Sequence, residues 1–175
     1  MENYVLPVKI LNSNGDIKNI NNLFIKKELQ IGLNEPVNTI MNEDSNILLD
    51  FGKELCGGIR ILVCNYDNRP IDLLVRFGES VSEALSDIGN KNSSNDHAVR
   101  EFNVKTTNLC DLKVGNTGFR FVYIKKLTKE NSLIIKSIVA INNISRKKCI
   151  GSFKCARRYP QSRRGIRNAR IFARA

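Results

Sequence analysis

Glu79, Glu83 and Asp87 recur at intervals of four, a spacing that on a helix would align three carboxylates along one face. Paired carboxylates are what glycosidic bond cleavage requires, one as acid and the other as base or nucleophile. The same residues following a strand equally make a solvated acidic surface, and that is the role expected of them; the alternative for Glu79 is a structural pairing with Arg76 or Arg60. His97 is the sole histidine, so any Ser-His-Asp or Cys-His arrangement would have to use it. It follows the polar run Asn90 to Asp96 with no nucleophile pattern nearby, and it reads as a solvated loop residue.

Asp50-Phe51-Gly52 spells the magnesium-binding tripeptide of protein kinases, but no His-Arg-Asp loop, glycine-rich phosphate loop or matching strand lysine accompanies it. The run Gly52 to Gly57 lacks the terminal Gly-Lys-Ser/Thr of a phosphate cradle. Both read as a structural corner. A calcium site built from Asp and Asn oxygens is chemically open, though no EF-type loop supports one. Five cysteines (Cys56, Cys64, Cys110, Cys149 and Cys155) form no C-x-x-C pair, which indicates neither a disulfide framework nor a zinc site. Sugar recognition favours aromatic platforms, and the chain has no Trp. Tyr66, in a loop, is the one candidate platform. The sequence therefore assigns no catalytic, cofactor-binding or metal-ligating residue, and no cofactor is expected.

The elements that would position such groups are strands. Ile59, Ile61 and Val63 alternate with Arg60, Leu62 and Cys64, and Leu73, Val75 and Phe77 repeat the pattern. Asn65 to Pro70 between them concentrates turn formers. Gly52, Gly57 and Gly58 permit a tight corner or a close backbone approach. Further extended segments are predicted at Tyr4 to Leu11, with Pro7 confining it to an edge, at Phe24 to Leu33 in part, and at Asn46 to Phe51. Others are Val99 to Lys105, Gly118 to Leu127 and Leu133 to Ile144. Asn12 to Asp16 reads as a turn, and Glu79 to Lys91 is the one segment with helical character. Many strands with little helix between them predict an all-β fold, an antiparallel β-sandwich of the jelly-roll or concanavalin-like kind.

The chain has 175 residues and a net charge of +11, enough length for one core without disulfides. Such a charge raises nucleic-acid binding, but seven arginines lie after Cys155 with no acid among them, leaving 21 basic against 17 acidic residues, a net of +4. Nucleic acid is thus not the expected partner. The tail abandons the Asn, Ile and Lys of the body for Arg and Ala, and it reads as a frameshifted or vector-derived ending. The expected organisation is a β-sandwich accessory domain over 1–155 and a disordered basic tail over 156–175, outside the core. No segment approaches the roughly 18 apolar residues of a membrane span, and the N-terminus has no secretory pattern. A cytoplasmic location with no membrane partner is expected, and the sequons at Asn92 and Asn143 are then without effect.

Four ordered stretches carry a resemblance. Asp50 to Gly58, Arg76 to Ser80 (Arg-Phe-Gly-Glu-Ser), Gly118 to Phe121 (Gly-Phe-Arg-Phe) and Gly151 to Cys155 (Gly-Ser-Phe-Lys-Cys) are similar, in order and approximate spacing, to the N-terminal β-sandwich region of bacterial alpha-L-rhamnosidase-like glycoside hydrolases. The resemblance covers Leu48 to Cys155. It implies an accessory domain whose partner is a catalytic helical barrel, with rhamnose-containing carbohydrate as the associated ligand. After Cys155 this chain departs, with Ala156-Arg157-Arg158-Tyr159-Pro160 where the family begins a helix. The barrel and its carboxylates are missing, so no catalytic residue carries over and the chain alone is expected to be inactive. An autonomous carbohydrate-binding module is the alternative, and a nucleic-acid binder acting through the tail is a more distant one.

Overall fold

Period-two alternation builds nearly every element. The computed structural model describes residues 3–31, 37–90 and 99–143. Within them run β1 (Asn3–Val5), β2 (Lys9–Asn14), β3 (Ile17–Lys18), a 3-10 helix (Ile20–Phe24), β4 (Thr39–Met41), β5 (Asn46–Val63) and β6 (Ile71–Gly78). The helix α1 (Val81–Leu85), β7 (Glu101–Thr106), β8 (Asp111–Lys126) and β9 (Leu133–Asn142) complete the order. Every strand pairing is antiparallel.

β5 and β8 are 18 and 16 residues long. Drawn straight, β5 would span about 60 Å, more than a domain of this size is across. Both strands therefore fold over, and they do so together. Leu48 pairs with Tyr123 before the bend and Ile61 with Leu112 after it, with register shifts between Asp50 and Leu55 and between Gly57 and Ile59. Each strand returns to the end from which it started: Val63 lies beside Ile135 of β9, whose Leu133 pairs with Met41, five residues before the start of β5 at Asn46. One layer holds β2, the first half of β5, the second half of β8, β6 and β7. The other holds the first half of β8, the second half of β5 and β9, with β4 and β1 on the far edge of β9 and β3 on β4.

The core lies between the layers. Ile47, Leu49 and Phe51 meet Ile59, Ile61 and Val63 of the same strand, together with Leu73, Val75, Phe77, Val122, Ile124, Ile135, Ile138 and Ala140. Phe51, Phe119, Phe77 and Phe102 form a chain of edge-to-face contacts with centroids 5.8, 5.0 and 5.8 Å apart, the arrangement that the ring quadrupole favours. At the fold-over the backbones approach too closely for side chains. A Cβ on Gly58 would lie 2.2 Å from the Gly115 carbonyl oxygen and 2.3 Å from that of Val114. Gly115 itself sits at φ +79 with the Phe77 ring 2.6 Å from where a Cβ would stand. The predicted glycine corner is this fold-over.

The sandwich prediction holds, while several boundaries need correction. Tyr4 to Leu11 is two edge strands, because the ladder breaks around Pro7, which has no N–H to donate, and the chain passes from β9 to β5 there. The predicted turn at Asn12 to Asp16 narrows to Gly15 and Asp16, since β2 runs to Asn14. Phe24 to Leu33 contributes no strand among its described residues; the 3-10 helix ends at Phe24, and residues 25–31 are irregular. Asn46 to Phe51 and the alternating residues Ile59 to Cys64 are not two strands but one with bulges, which ends at Val63. β8 starts seven residues before Gly118. The helix predicted within Glu79 to Lys91 is the five residues of α1. His97, most of the polar loop before it, Gly151 to Cys155 and the arginine-rich tail lie outside the described residues.

Candidate functional site

The three carboxylates at intervals of four do not form an acid/base set. Ser80 caps α1 by accepting from the Glu83 N–H at 3.2 Å, and the Glu83 carboxylate accepts from the Glu79 N–H at 2.8 Å. This is a capping box shifted by one residue, and Ser80-x-x-Glu83 was its legible signal. Glu83 is consequently buried, where an exposed acid was expected. Asp87, beyond the helix, reaches back to Arg76 at 2.6 Å, and Arg76 also donates to Glu101 at 2.6 Å. Arg60 takes Asp111 at 2.6 Å. The expected pairing of Glu79 with Arg76 or Arg60 thus gives way to other acids, because Glu101 and Asp111 stand on strands that the ladder brings alongside.

Asp50 of the kinase-like tripeptide is structural. Arg120 grips its carboxylate through Nε at 2.9 Å and Nη2 at 3.0 Å, and the Gly52 N–H donates at 2.7 Å. The Arg120 hydrogen bonds hold the Asp50 carboxyl below the ordinary carboxylate range. Arg120 also lies 4.9 Å from the Phe121 ring centroid. No group of three or more His, Cys, Asp or Glu among the described residues is placed to hold a metal. No described helix is long and apolar enough to cross a membrane.

The opposite end of the sandwich gathers loops from five parts of the chain, and polar side chains weld them together. Asn42 donates from Nδ2 to Asp16 Oδ2 at 2.6 Å and accepts from the Ser132 hydroxyl at 2.6 Å. Asn65 donates to the Ser132 carbonyl at 2.6 Å and accepts from the Ile134 N–H at 2.8 Å, while its own carbonyl takes the Leu109 N–H. Behind them Lys126, 1 % exposed, turns its ammonium onto the carbonyls of Thr128, Lys129 and Glu130. Burial pushes the Lys126 pKa down, and the Glu43 and Asp44 charges oppose that shift.

Two open clefts flank the 127–132 loop. One, of about 430 Å³, is lined by Asp16, Asn42, Glu43, Asn131 and Ser132. The other, of about 370 Å³, is lined by Asp72, Asn103, Val104, Lys105, Leu127 and Thr128. Polar groups lining both are partly engaged: in the second Asp72 faces Lys105 at 3.6 Å and the Thr128 hydroxyl accepts from the Asp72 N–H at 2.8 Å, as Asp16, Asn42 and Ser132 engage one another in the first. In the first, carboxylate, amide and hydroxyl groups sit together on loops locked from behind, and each carboxylate oxygen has lone pairs to spare. Such planar polar groups can receive and donate hydrogen bonds to several adjacent hydroxyls. Tyr66 is 57 % exposed, on the loop that Asn65 opens. The sequence placed Tyr66 in a loop, and it is exposed there; it gave no sign of the cleft, because Asp16, Asn42 and Ser132 become neighbours only through long-range strand pairing.

No protein-family model matches the chain, and no curated protein matches its sequence. Solved structures do match its fold. A rhamnosidase from Klebsiella oxytoca with rhamnose bound superposes with a TM-score of 0.56 at 15 % identity, covering 81 % of this chain and 29 % of the enzyme. The CBM32 of AlyQ, in complex with 4,5-unsaturated mannuronic acid, gives 0.52 at 14 % identity over 81 % of this chain and 99 % of the module. Truncated AlyQ with its CBM32 and alginate lyase domains gives 0.51 at 14 % identity, over 81 % of this chain and 34 % of that one. At these identities the likeness is one of fold: the chain is an antiparallel β-sandwich of the kind seen in carbohydrate-binding modules and within a rhamnosidase.

Proposed function

We propose that this chain is a non-catalytic β-sandwich domain serving carbohydrate hydrolysis, an accessory to an alpha-L-rhamnosidase-like catalytic domain, with the cleft beside Asn42 as its sugar contact. One observation carries the reading. Asp50 to Gly58, Arg76 to Ser80 and Gly118 to Phe121, the described stretches behind the family resemblance, converge on the fold-over end. Arg120 grips Asp50 across 70 residues of sequence, and a Cβ on Gly118 would stand 3.2 Å from Glu79 Oε1. Motifs remote in sequence therefore form one scaffold unit, as a shared architecture requires. The likeness of fold to a sandwich occupying 29 % of a rhamnosidase supports the same reading.

None of the residues in that unit is arranged for acid/base work, so the purified chain should not hydrolyse a chromogenic alpha-L-rhamnoside. Turnover that survives rigorous purification would overturn the non-catalytic role. Parentage is tested by the source gene: the accessory reading expects codons for a helical barrel in one of the three frames after Cys155, and their absence from all three would defeat it. The second reading, an autonomous carbohydrate-binding module, is favoured by the 99 % span of the AlyQ module. Titration of the chain with rhamnose-containing oligosaccharides separates the two, since only the module must bind free sugar saturably without a catalytic partner.

A further inference from the structure

β7 closes one side of its layer, and among the described residues it pairs with β6 alone. The phase of that ladder is fixed where the Phe77 N–H donates to the Arg100 carbonyl at 2.8 Å. Antiparallel pairing alternates, so residues 100, 102, 104 and 106 turn their backbone groups onto β6. Glu101, Asn103 and Lys105 turn theirs to the open side. The other ladder of β6 agrees, since its Asp72 carbonyl takes the Leu127 N–H of the β8 side. A row of free donors and acceptors is a template for another strand.

The side chains along that row are self-complementary. An antiparallel copy of β7, related by a two-fold axis at Asn103, sets Glu101 opposite Lys105 of the second copy and Lys105 opposite its Glu101. The two Asn103 amides then face each other on the axis. Lysine on a free edge ordinarily deters pairing, but in this register it meets a carboxylate on both sides of the axis. Both groups remain available: the Lys105 side chain is 62 % exposed and 3.6 Å from Asp72, and Arg76 takes one oxygen of Glu101, leaving the other to accept. On the inward row Phe102 and Val104 pack on the core yet are only partly buried. The same register sets each beside the other's counterpart in the second copy, an aromatic–β-branched pair that stabilises a sheet. A slip of two residues opposes Asn103 to Lys105 or to Glu101 and loses both ion pairs, so charge selects the register.

We propose that β7 is a docking edge for a second copy of this chain, which joins the two β7-edged layers into one continuous sheet. The interface is isologous, each edge supplying what the other lacks, and about six backbone hydrogen bonds cross the axis. It stands independently of the sugar-contact role.

An edge of this size makes a weak contact, so sedimentation equilibrium of the full chain from about 5 to about 500 µM should show the 19.8 kDa monomer passing to a dimer and no further. Hydrogen exchange locates the contact. Where nine-tenths of the chain is dimeric, the amides of residues 101, 103 and 105 should slow about tenfold, and those of 102, 104 and 106, bonded to β6 already, should change far less. Asn103→Pro removes an outward N–H that the β6 ladder does not use, a change that an edge strand tolerates, and it should abolish the dimer. Lys105→Glu sets like charges opposite each other on both sides of the axis and should weaken dimerisation about tenfold at low salt.

A chain monomeric across that range, assembly beyond two copies, a dimer undiminished by either substitution, or protection confined to another surface such as the β2 edge would overturn the proposal. Should Asn103→Pro fail to fold, Lys105→Glu and the exchange pattern decide it.

Discussion

Gly58→Ala tests the fold-over directly, because one added methyl must enter a space that two carbonyl oxygens already fill. The new Cβ would stand 2.2 and 2.3 Å from the oxygens of Gly115 and Val114. Reaching a tolerable 3.2 Å requires β5 and β8 to separate by about 1 Å, which lengthens the flanking rungs at Ile59–Val114 and Gly57–Thr117 beyond hydrogen-bonding distance. Two ladder bonds at about 1 kcal/mol each, with about 1–3 kcal/mol of strain transmitted to the packed core, give a loss of roughly 3–5 kcal/mol. The strain has a specific route, because Gly115 already abuts the Phe77 ring. For a chain of this length each kcal/mol shifts Tm by about 2–4 °C, so calorimetry should find the variant about 6–20 °C less stable, or unfolded. Gly89→Ala is the control. It has φ +76 but nothing within 4 Å, so only the backbone cost of about 1–2 kcal/mol applies. A Gly58→Ala variant as stable as Gly89→Ala would refute the argument that backbone approach, rather than conformational freedom, dictates glycine there.

Three further outcomes follow from the polar framework. Arg76→Met should cost roughly 2–4 kcal/mol by urea unfolding, since it strands Glu101 against a largely buried site; adding Glu101→Gln should recover part of that loss, and strict additivity would show that the two do not interact. Because Arg120 holds the folded-state Asp50 carboxyl below the ordinary aspartate range, the stabilisation from ionised Asp50 is present above the unfolded value and lost as pH falls through the lower folded one. Asp50→Asn should therefore be less stable than the wild type at neutral pH and should approach it under acid, and a difference that grows on acidification would contradict the assignment. Lys126→Met leaves the carbonyls of Thr128, Lys129 and Glu130 without their donor, so hydrogen exchange should speed up at residues 127–132 more than in β5; uniform acceleration would indicate global destabilisation instead.

Alternation made the layers readable. Wherever apolar residues recur with period two, as at Ile59 to Val63 and Leu73 to Phe77, the strand and its inward face appear as predicted, because burial on one side is a local property of the sequence. What alternation could not convey is that β5 and β8 continue through both layers. Around Gly52 to Gly58 the pattern breaks, and a break reads as an end; only pairing with β8 shows that the strand resumes on the other side. β3 and β4 are two and three residues long, too short for any period to register. The carboxylate series misled for a related reason. Interval four implies one face only if the helix spans all three residues, whereas Ser80 and Glu83 close the helix's start on themselves and Arg76 draws Asp87 away from it.

The same contrast separates the two ends of the sandwich. The fold-over end is written in short contiguous motifs, because glycines must sit at the bend itself and Asp50 must lie beside them to fix the Gly52 N–H. The bend is therefore legible in the sequence although the function is not. The loop end is assembled from single residues contributed by separate turns, Asp16, Asn42 and Ser132 among them, each unremarkable in its own stretch. Their contacts run between turns, so none of them is signalled by its own stretch of sequence.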